Sequence, residues 1–531
     1  MSKKFLVCFI FSVLIANSFC LDNTEKKLDN KVIDSQRTFV IAGANYHLNL
    51  NPHTAGYSNE AQILNGLYEG LFSYEPQTLE PIPALASEYK ISRDKKRWTF
   101  TIRENATFSD GSLITPQTII DSWILLQETP DASYASLLDC IVGIKDYREG
   151  KLAREEVGLK ARENKLIVQL NTPAAHLPRL LCHHAFSAFL GTEGKYSGAY
   201  EVSEKNENYL FIKKNENYWD KDSVSINQIK ILFSDDIKEN SWLINTGKAD
   251  WINGSVDVNA LLNKNVVRVS AAFGTTYLFF TNRNAPWTNP ELRNALLTAI
   301  PWDELRKGNL IPATTLVYPL SGYPPVEGLT YSCQEDAIEM LAEYRKKANL
   351  PETELLELSF GISNNNFMKE IANVLKNAWE PLGVKLNIST TPEDRYHSSI
   401  PYWNCDIFAY SWIGDFADPL AFLELFRKDS TLNQTKWENQ KFEELLILAN
   451  ETTDYSERHK LLSKAEQLLL DDGVIIPICH SVSLHAINLN AIGGWFTNAL
   501  DIHPFKYLYF KEYTPPSAPN IVKKQNSETL G

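Results

Sequence analysis

Residues 355–388 read LLELSFGISNNNFMKEIANVLKNAWEPLGVKLNI. Leu355, Glu357 and Ser359 alternate with Leu356, Leu358 and Phe360, the two-residue period of a strand. Phe367, Ile371, Val374, Leu375, Ala378 and Trp379 then fall at helical spacing. Gly383 is a stop signal, because glycine takes the left-handed conformation that ends helices. Val384, Leu386 and Ile388 alternate again. Strand, helix and strand in that order predict a β-α-β unit, and with it a parallel sheet. A further strand, Asp406 to Trp412, empties into Gly414-Asp415-Phe416-Ala417-Asp418-Pro419. Ligands of open α/β sheets sit beyond the carboxyl ends of strands, so this acidic loop is placed to meet one.

Outward from this unit the pattern changes. Trp98, Phe100 and Ile102 sit at period two within Arg97 to Arg103, and Phe108-Ser109-Asp110-Gly111 reads as a turn. Thr115-Pro116 opens a helix to Leu126, with proline at its first position. Leu166 to Leu170 is a strand closed by Asn171-Thr172-Pro173. Residues 200–233 read as a meander with turns at Asn206-Glu207-Asn208 and Asn215-Glu216-Asn217. Nothing repeats at 20–50 residues, which argues against solenoids and propellers. The 531 residues are 44% hydrophobic and 22% charged, which excludes disorder, collagen and coiled coil as overall classes. A net charge of −13 argues against a general nucleic-acid binder.

The start is a separate object. Lys3 and Lys4 precede an apolar run from Phe5 to Ile15, the layout of a signal peptide over residues 1–20 and too short to span a bilayer. Two cleavage readings stay open: small-x-small at Ala16-Asn17-Ser18, or a lipid anchor at Cys20, against which Phe19 counts. Residues 21–37 are a polar tether. Five cysteines follow, Cys140, Cys182, Cys333, Cys405 and Cys479, with no CxxC, so neither a zinc ribbon nor a redox motif is written. One disulfide is open to a secreted chain, but buried free thiols are the expectation.

Catalytic signatures are missing: no HExxH, GxSxG, Walker A or GxGxxG. Ser92-Arg93-Asp94-Lys95 matches SxxK but sits in a charged turn. Cys182-His183-His184 invites a metal, yet adjacent side chains on a regular element diverge, and a partly buried helix is the expectation. Asp415 and Asp418 could be paired acids of a glycosidase. Pro419 can instead open a helix from Leu420 to Phe426 with Asp418 as its N-cap. That leaves Asp415 for a ligand.

Many short segments, in order from about residue 38 to 510, resemble one family. Leu50-Asn51-Pro52-His53, Gly66 to Leu71, Pro83 to Ala86, Trp98-Thr99-Phe100 with Phe108 to Gly111, Asp131 to Leu137, Gly198-Ala199-Tyr200, Asn217-Tyr218-Trp219, Asn289 to Ala299 and Trp412 to Pro419 are similar to the bacterial solute-binding proteins, family 5, of oligopeptide and dipeptide ABC importers. The oligopeptide branch is the better match. The resemblance implies a two-lobed periplasmic binding protein fold of class II type, α/β, with an extra subdomain on the first lobe. It places lobe I at 38–70, 190–273 and 485–531, the extra subdomain at 71–189, and lobe II at 274–484 with a ligand loop at 410–419.

The same resemblance implies no enzyme and no cofactor, but capture of short peptides in extended form, as an added strand. Asp415 matches the aspartate that pairs with the peptide ammonium. Tyr410, Ser411, Trp412 and Ile413 match the strand that pairs with the peptide. Tyr57 and Ser58 match the opposite wall, and Tyr134 a tyrosine of the extra subdomain. His480 lies in the run that replaces a tyrosine-rich one, and is counted with the ligand residues. Partners would be the permease subunits, with cytoplasmic ATPases indirectly, and a monomer is expected. The location would be the periplasm or the outer face of the membrane, with membrane contact through the permease or a Cys20 anchor. The sequence departs from the family where arginines could meet the peptide carboxylate, since Ala409 and Ile400 stand there. Gly274 and Ile413 stand where some relatives have a disulfide. Another solute (a muropeptide, nickel, haem or a sugar) and a secreted hydrolase are the competing readings.

Overall fold

The computed structural model describes residues 37–43, 48–192, 194–254, 256–320, 322–414, 416, 418–452 and 454–511. The signal peptide with Cys20, the tether up to Gln36, and Asp415 lie outside the described residues. No helix among those described is long and apolar enough to cross a membrane.

Ten strands form one sheet: β1 (Thr38–Gly43), β2 (Tyr200–Lys205), β3 (Tyr209–Lys214), β4 (Gln228–Phe233), β5 (Trp251–Asn253), β6 (Val267–Phe280), β7 (Leu356–Ser363), β8 (Val384–Thr391), β9 (Ile407–Ile413) and β10 (Ile475–Ile487). Their order across the sheet is β8-β7-β9-β6-β10-β5-β1-β4-β3-β2. Three helices matter below: α1 (Ser58–Leu67), α2 (Asn366–Trp379) and α3 (Tyr455–Asp471).

The β7-α2-β8 unit forms as its periodicity requires. β7 and β8 are parallel, with Leu356 opposite Val384. The Asn365 side chain caps α2 by accepting from the Met368 N–H at 2.9 Å. Met368, Ile371, Leu375 and Trp379 are buried. Phe367, expected on that face, is 40% exposed. The buried stripe is centred on Ile371 and Leu375, which puts Phe367 on its flank. Gly383, at φ 71°, ends the helical stretch before β8.

β6 and β10 are the long strands, and the expected lobe boundaries at 273/274 and 484/485 fall inside them. Their pairing is irregular between Ala271 and Thr275. Gly274 stands in the irregularity, opposite Ile413. A Cβ there would come within 2.7 Å of Ser481 Oγ and 2.9 Å of Ile413 Cγ1, so only glycine lets the strands approach.

The side chains of β1 divide between two cores. Phe39 and Ile41 join one cluster with Leu64, Leu67, Trp251 and Phe505, while Ala42 joins a second with Ile252 and Ala486. That is the period-two alternation of a sheet covered on both faces. A third cluster runs through 71–189 and 274–484 together. The expected extra subdomain therefore shares its core with the second lobe's residues. Ser136 Oγ meets Thr431 Oγ1 at 3.0 Å, and Lys145 Nζ meets Asp429 at 2.5 Å.

Residues 86–91, 97–102, 165–169 and 159–162 form a separate four-stranded antiparallel sheet. Its first hairpin turn holds the SxxK match, with the Lys95 N–H donating to the Ser92 carbonyl at 2.9 Å. Cys182-His183-His184 is not an α-helix. Cys182 and His183 form a buried turn after the helix Leu177–Leu180, and His184 opens the 3-10 turn His184–Phe186. All five described cysteines are free thiols, with Cys182 and Cys405 buried and the others partly so.

Candidate functional site

The site begins where β9 leaves β7. Only Ile407 and Phe408 of β9 pair with β7, while all seven residues pair with β6 on the other side. The gap is closed first by a side chain. The Tyr396 hydroxyl accepts from the Ala409 N–H at 2.7 Å and lies 3.0 Å and 3.1 Å from the Ala409 and Gly361 carbonyls. Strand groups alternate direction residue by residue, so Ser411 and Ile413 point their N–H and C=O the same way as Ala409. The Gly414 N–H, of opposite parity, donates back to Phe273 O on β6 at 2.8 Å. Beyond Tyr396 the Ser411 and Ile413 main-chain groups have no strand partner among the described residues. An unpaired edge of this kind is a template for an added strand.

The side chains beside this edge form an aromatic wall. Tyr410 and Trp412 stack with ring centres 6.1 Å apart. Trp412 Nε1 donates to Ala421 O at 2.9 Å, which fixes the ring. Tyr134 reaches Trp412 at 6.4 Å and also packs on His183 at 4.4 Å. On the other flank His397 stands edge-on to Tyr410 at 5.1 Å and to Tyr57 at 5.7 Å. The structure thus brings Tyr57, Tyr410, Trp412 and Tyr134 together from three separate parts of the chain. Tyr57 precedes α1, and Ser58 is its exposed first residue. Glu60, buried, fixes this entry by accepting from the N–H groups of Asn49 at 2.8 Å and of Gly56 and Tyr57 at 3.0 Å.

His480 lies one strand further, abreast of Thr275, which also pairs with Trp412. Thr275 Oγ1 donates to Leu316 O at 2.6 Å and so accepts from His480 Nδ1 at 2.9 Å. His480 is thereby engaged in holding Thr275 and the chain around Leu316. Behind it, buried Glu466 of α3 accepts from the N–H groups of Leu316 at 2.9 Å and Val317 at 2.8 Å, and from Tyr323 at 2.8 Å.

The described side chains of this wall carry no charge. Burial lowers His397 and His480 to about 4 and His184 to about 3, and pushes His183 well down. Ala409 and Ile400 are buried, and no cation replaces them on β9. Asp418 accepts from the Leu420 N–H at 2.9 Å, as a cap would, but the helix is only Leu420–Leu423 before a 3-10 turn, with Pro419 at its N-cap. Its other oxygen pairs with buried Arg458, a bond the sequence did not announce. Asp415 is outside the described residues, between Gly414 and Phe416. Sequence reading also missed Tyr396, His397 and Glu60. Only Glu60, three residues after Tyr57, carried a signal, the capping-box spacing.

Known proteins resemble this chain over most of its length. Residues 80–434 match the family model described as bacterial extracellular solute-binding proteins, family 5 middle. The chain is 25% identical to the dipeptide-binding protein DppE of Bacillus subtilis over 86% of its length and 88% of that protein. It is 26% identical to the oligopeptide-binding protein OppA of the same organism, covering 92% and 95%. The structure of Haemophilus influenzae OppA in complex with RPPGFSPFR superposes with a TM-score of 0.77 at 20% identity, covering 90% of this chain and 99% of that one.

Proposed function

Because the chain belongs to the bacterial extracellular solute-binding proteins of family 5, we propose that it is the solute-binding subunit of an ABC importer, capturing short peptides in extended form between two lobes. The observation that carries this reading is the open edge at Ser411 and Ile413, whose main-chain groups suit a peptide backbone whatever its side chains. The curated relatives named for dipeptides and oligopeptides and the peptide-bound structure support it. Tyr57 and Ser58 would face the peptide from lobe I, Tyr134 from the extra subdomain, and Tyr410 to Ile413 from lobe II. Asp415 would meet the α-ammonium, as a charge-assisted bond that fixes register. The chain would be secreted, with Cys20 either removed or lipidated, would act as a monomer without catalysis, and would hand its ligand to a membrane permease.

The test uses main-chain chemistry. The mature chain is purified without unfolding, and co-purified molecules are identified by mass spectrometry. Peptides are then compared by calorimetry with analogues N-methylated at one amide at a time. Strand addition predicts that alternate amides are sensitive and the others tolerant. Uniform tolerance of methylation would overturn the strand mode, and the absence of any peptide among the bound molecules would count against the substrate class.

A further inference from the structure

A cavity of about 230 Å³ opens in the first lobe, beside Ser58. It lies at the carboxyl ends of three parallel strands, where Gly43 of β1 is in register with Phe233 of β4 and Asn253 of β5. Crevices of this kind receive ligands in α/β sheets. Asp501, Asn59, Phe233, Trp251 and Phe505 line it.

Asp501 sits in a trio with His485 and His503. Its Oδ1 accepts from His485 Nε2 at 2.7 Å and lies 3.4 Å from His503 Nε2. The three are close enough to suggest a metal. The hydrogen bonds argue otherwise. Trp251 Nε1, a donor only, meets His485 Nδ1 at 3.2 Å, so Nδ1 accepts and Nε2 carries the hydrogen. No His485 lone pair is left for an ion. What the trio does is hold Asp501 charged: burial opposes the charge, but the bonds from His485 and His503 outweigh it and keep the carboxyl well below its usual range. Gln62 fixes the segment by bonding His503 N at 2.7 Å and O at 2.6 Å.

Two acceptors of the lining are left without a protein donor. Asp501 Oδ2 takes no protein donor among the described residues, and Asn59 Oδ1 is buried without a partner. No described lysine or arginine lines the space, whereas aromatic rings, which attract cations, do. We propose that this cavity is a specificity pocket for a cationic side chain of the ligand, a primary ammonium or guanidinium on an apolar stem, resting on the peptide reading above. Charge from Asp501 and the rings would select the head group, and Ile41, Leu48, Ile63 and Ile231, which also line the cavity, would take the stem.

The test scans trialanine carrying one lysine or one norleucine, which keeps the four-carbon stem without the ammonium, at each position in turn. Binding to the ligand-free mature chain is measured by calorimetry. At one position lysine is expected to bind at least tenfold tighter. D501N should bring that ratio near one. N59D, which adds a carboxylate at the start of α1 where negative charge is favoured, should raise it. Equal binding of both peptides at every position overturns the proposal, as does a lysine preference that neither substitution moves. If D501N does not fold, N59D decides alone, and an unchanged ratio overturns it. If no peptide binds, the peptide reading falls and the pocket is judged by melts with n-butylammonium against 1-butanol. Stabilisation by the ammonium only, increased in N59D, supports the pocket, and its absence overturns it.

Discussion

In the sequence Asp415 follows Ile413, the last residue of the open strand edge, by two residues. If it receives the peptide ammonium, Asp415→Asn keeps the shape and removes the counter-charge. Truncating one partner of a buried charge pair costs about 2–5 kcal/mol, roughly 30- to 5,000-fold in affinity. N-acetylated peptides should bind wild type poorly, and acetylation should cost much less in the variant. Calorimetry on the four combinations measures that coupling. Equal losses for both peptides, with a lowered unliganded Tm, would mean that the carboxylate only organises its loop. Tyr396 invites a second substitution. Tyr396→Phe strips the hydroxyl from the Ala409 N–H, leaving a buried donor unmet where β9 parts from β7. A loss of about 1–3 kcal/mol in urea unfolding is expected. A stability unchanged within error would show that water or a neighbour satisfies the amide.

At the scale of elements, α3 reaches the site through Glu466. Burial raises this carboxyl to about 7, against the hydrogen bonds from Leu316, Val317 and Tyr323 that favour its charge. A raised carboxyl is protonated in the folded chain while still ionised in the unfolded one. Its penalty is therefore absent below the unfolded value near 4.5, grows as pH rises, and is complete above about 7. Glu466→Gln keeps the acceptor for the two amides and does not titrate. The variant should gain stability relative to wild type between pH 5 and pH 8, and urea melts at both ends measure it. A difference that stays flat across that window would place the carboxyl at an ordinary value. None of this was legible in the sequence, because the partners of Glu466 are about 150 residues away and joined only by the fold. The β7-α2-β8 unit was legible, since periodicity and Gly383 act locally. So was β9 as a strand. Its open edge was not, since that depends on where β7 stops pairing and on Tyr396 filling the gap. Asp418 was half legible: the cap is written beside a proline, whereas Arg458 is 40 residues on. The His183-His184 turn was misjudged because tertiary burial, not helical spacing, sets those rings 4.0 Å apart.

For the whole molecule, the proposed capture mode requires the lobes to close on a ligand. β6 and β10 cross between them, and the irregular pairing at Ala271 to Thr275 is the natural place for bending. Saturating peptide should shrink the radius of gyration in solution scattering. It should also raise Tm by mass action, equivalent to about 2.7 kcal/mol at a hundred times Kd. A Tm increase with no compaction would mean that binding proceeds without closure. The sheet's strand order has another consequence, which concerns the order of synthesis. β5 is flanked on one side by β1, near the start of the chain, and on the other by the end of β10. Trp251 is covered by Trp495, His503 and Phe505. A ribosome or export channel delivering the chain from its amino end therefore releases β1 and β5 more than two hundred residues before the segment that completes their core. Chains arrested near residue 470 should leave the first lobe open to protease, and only those extended past Leu508 should close it.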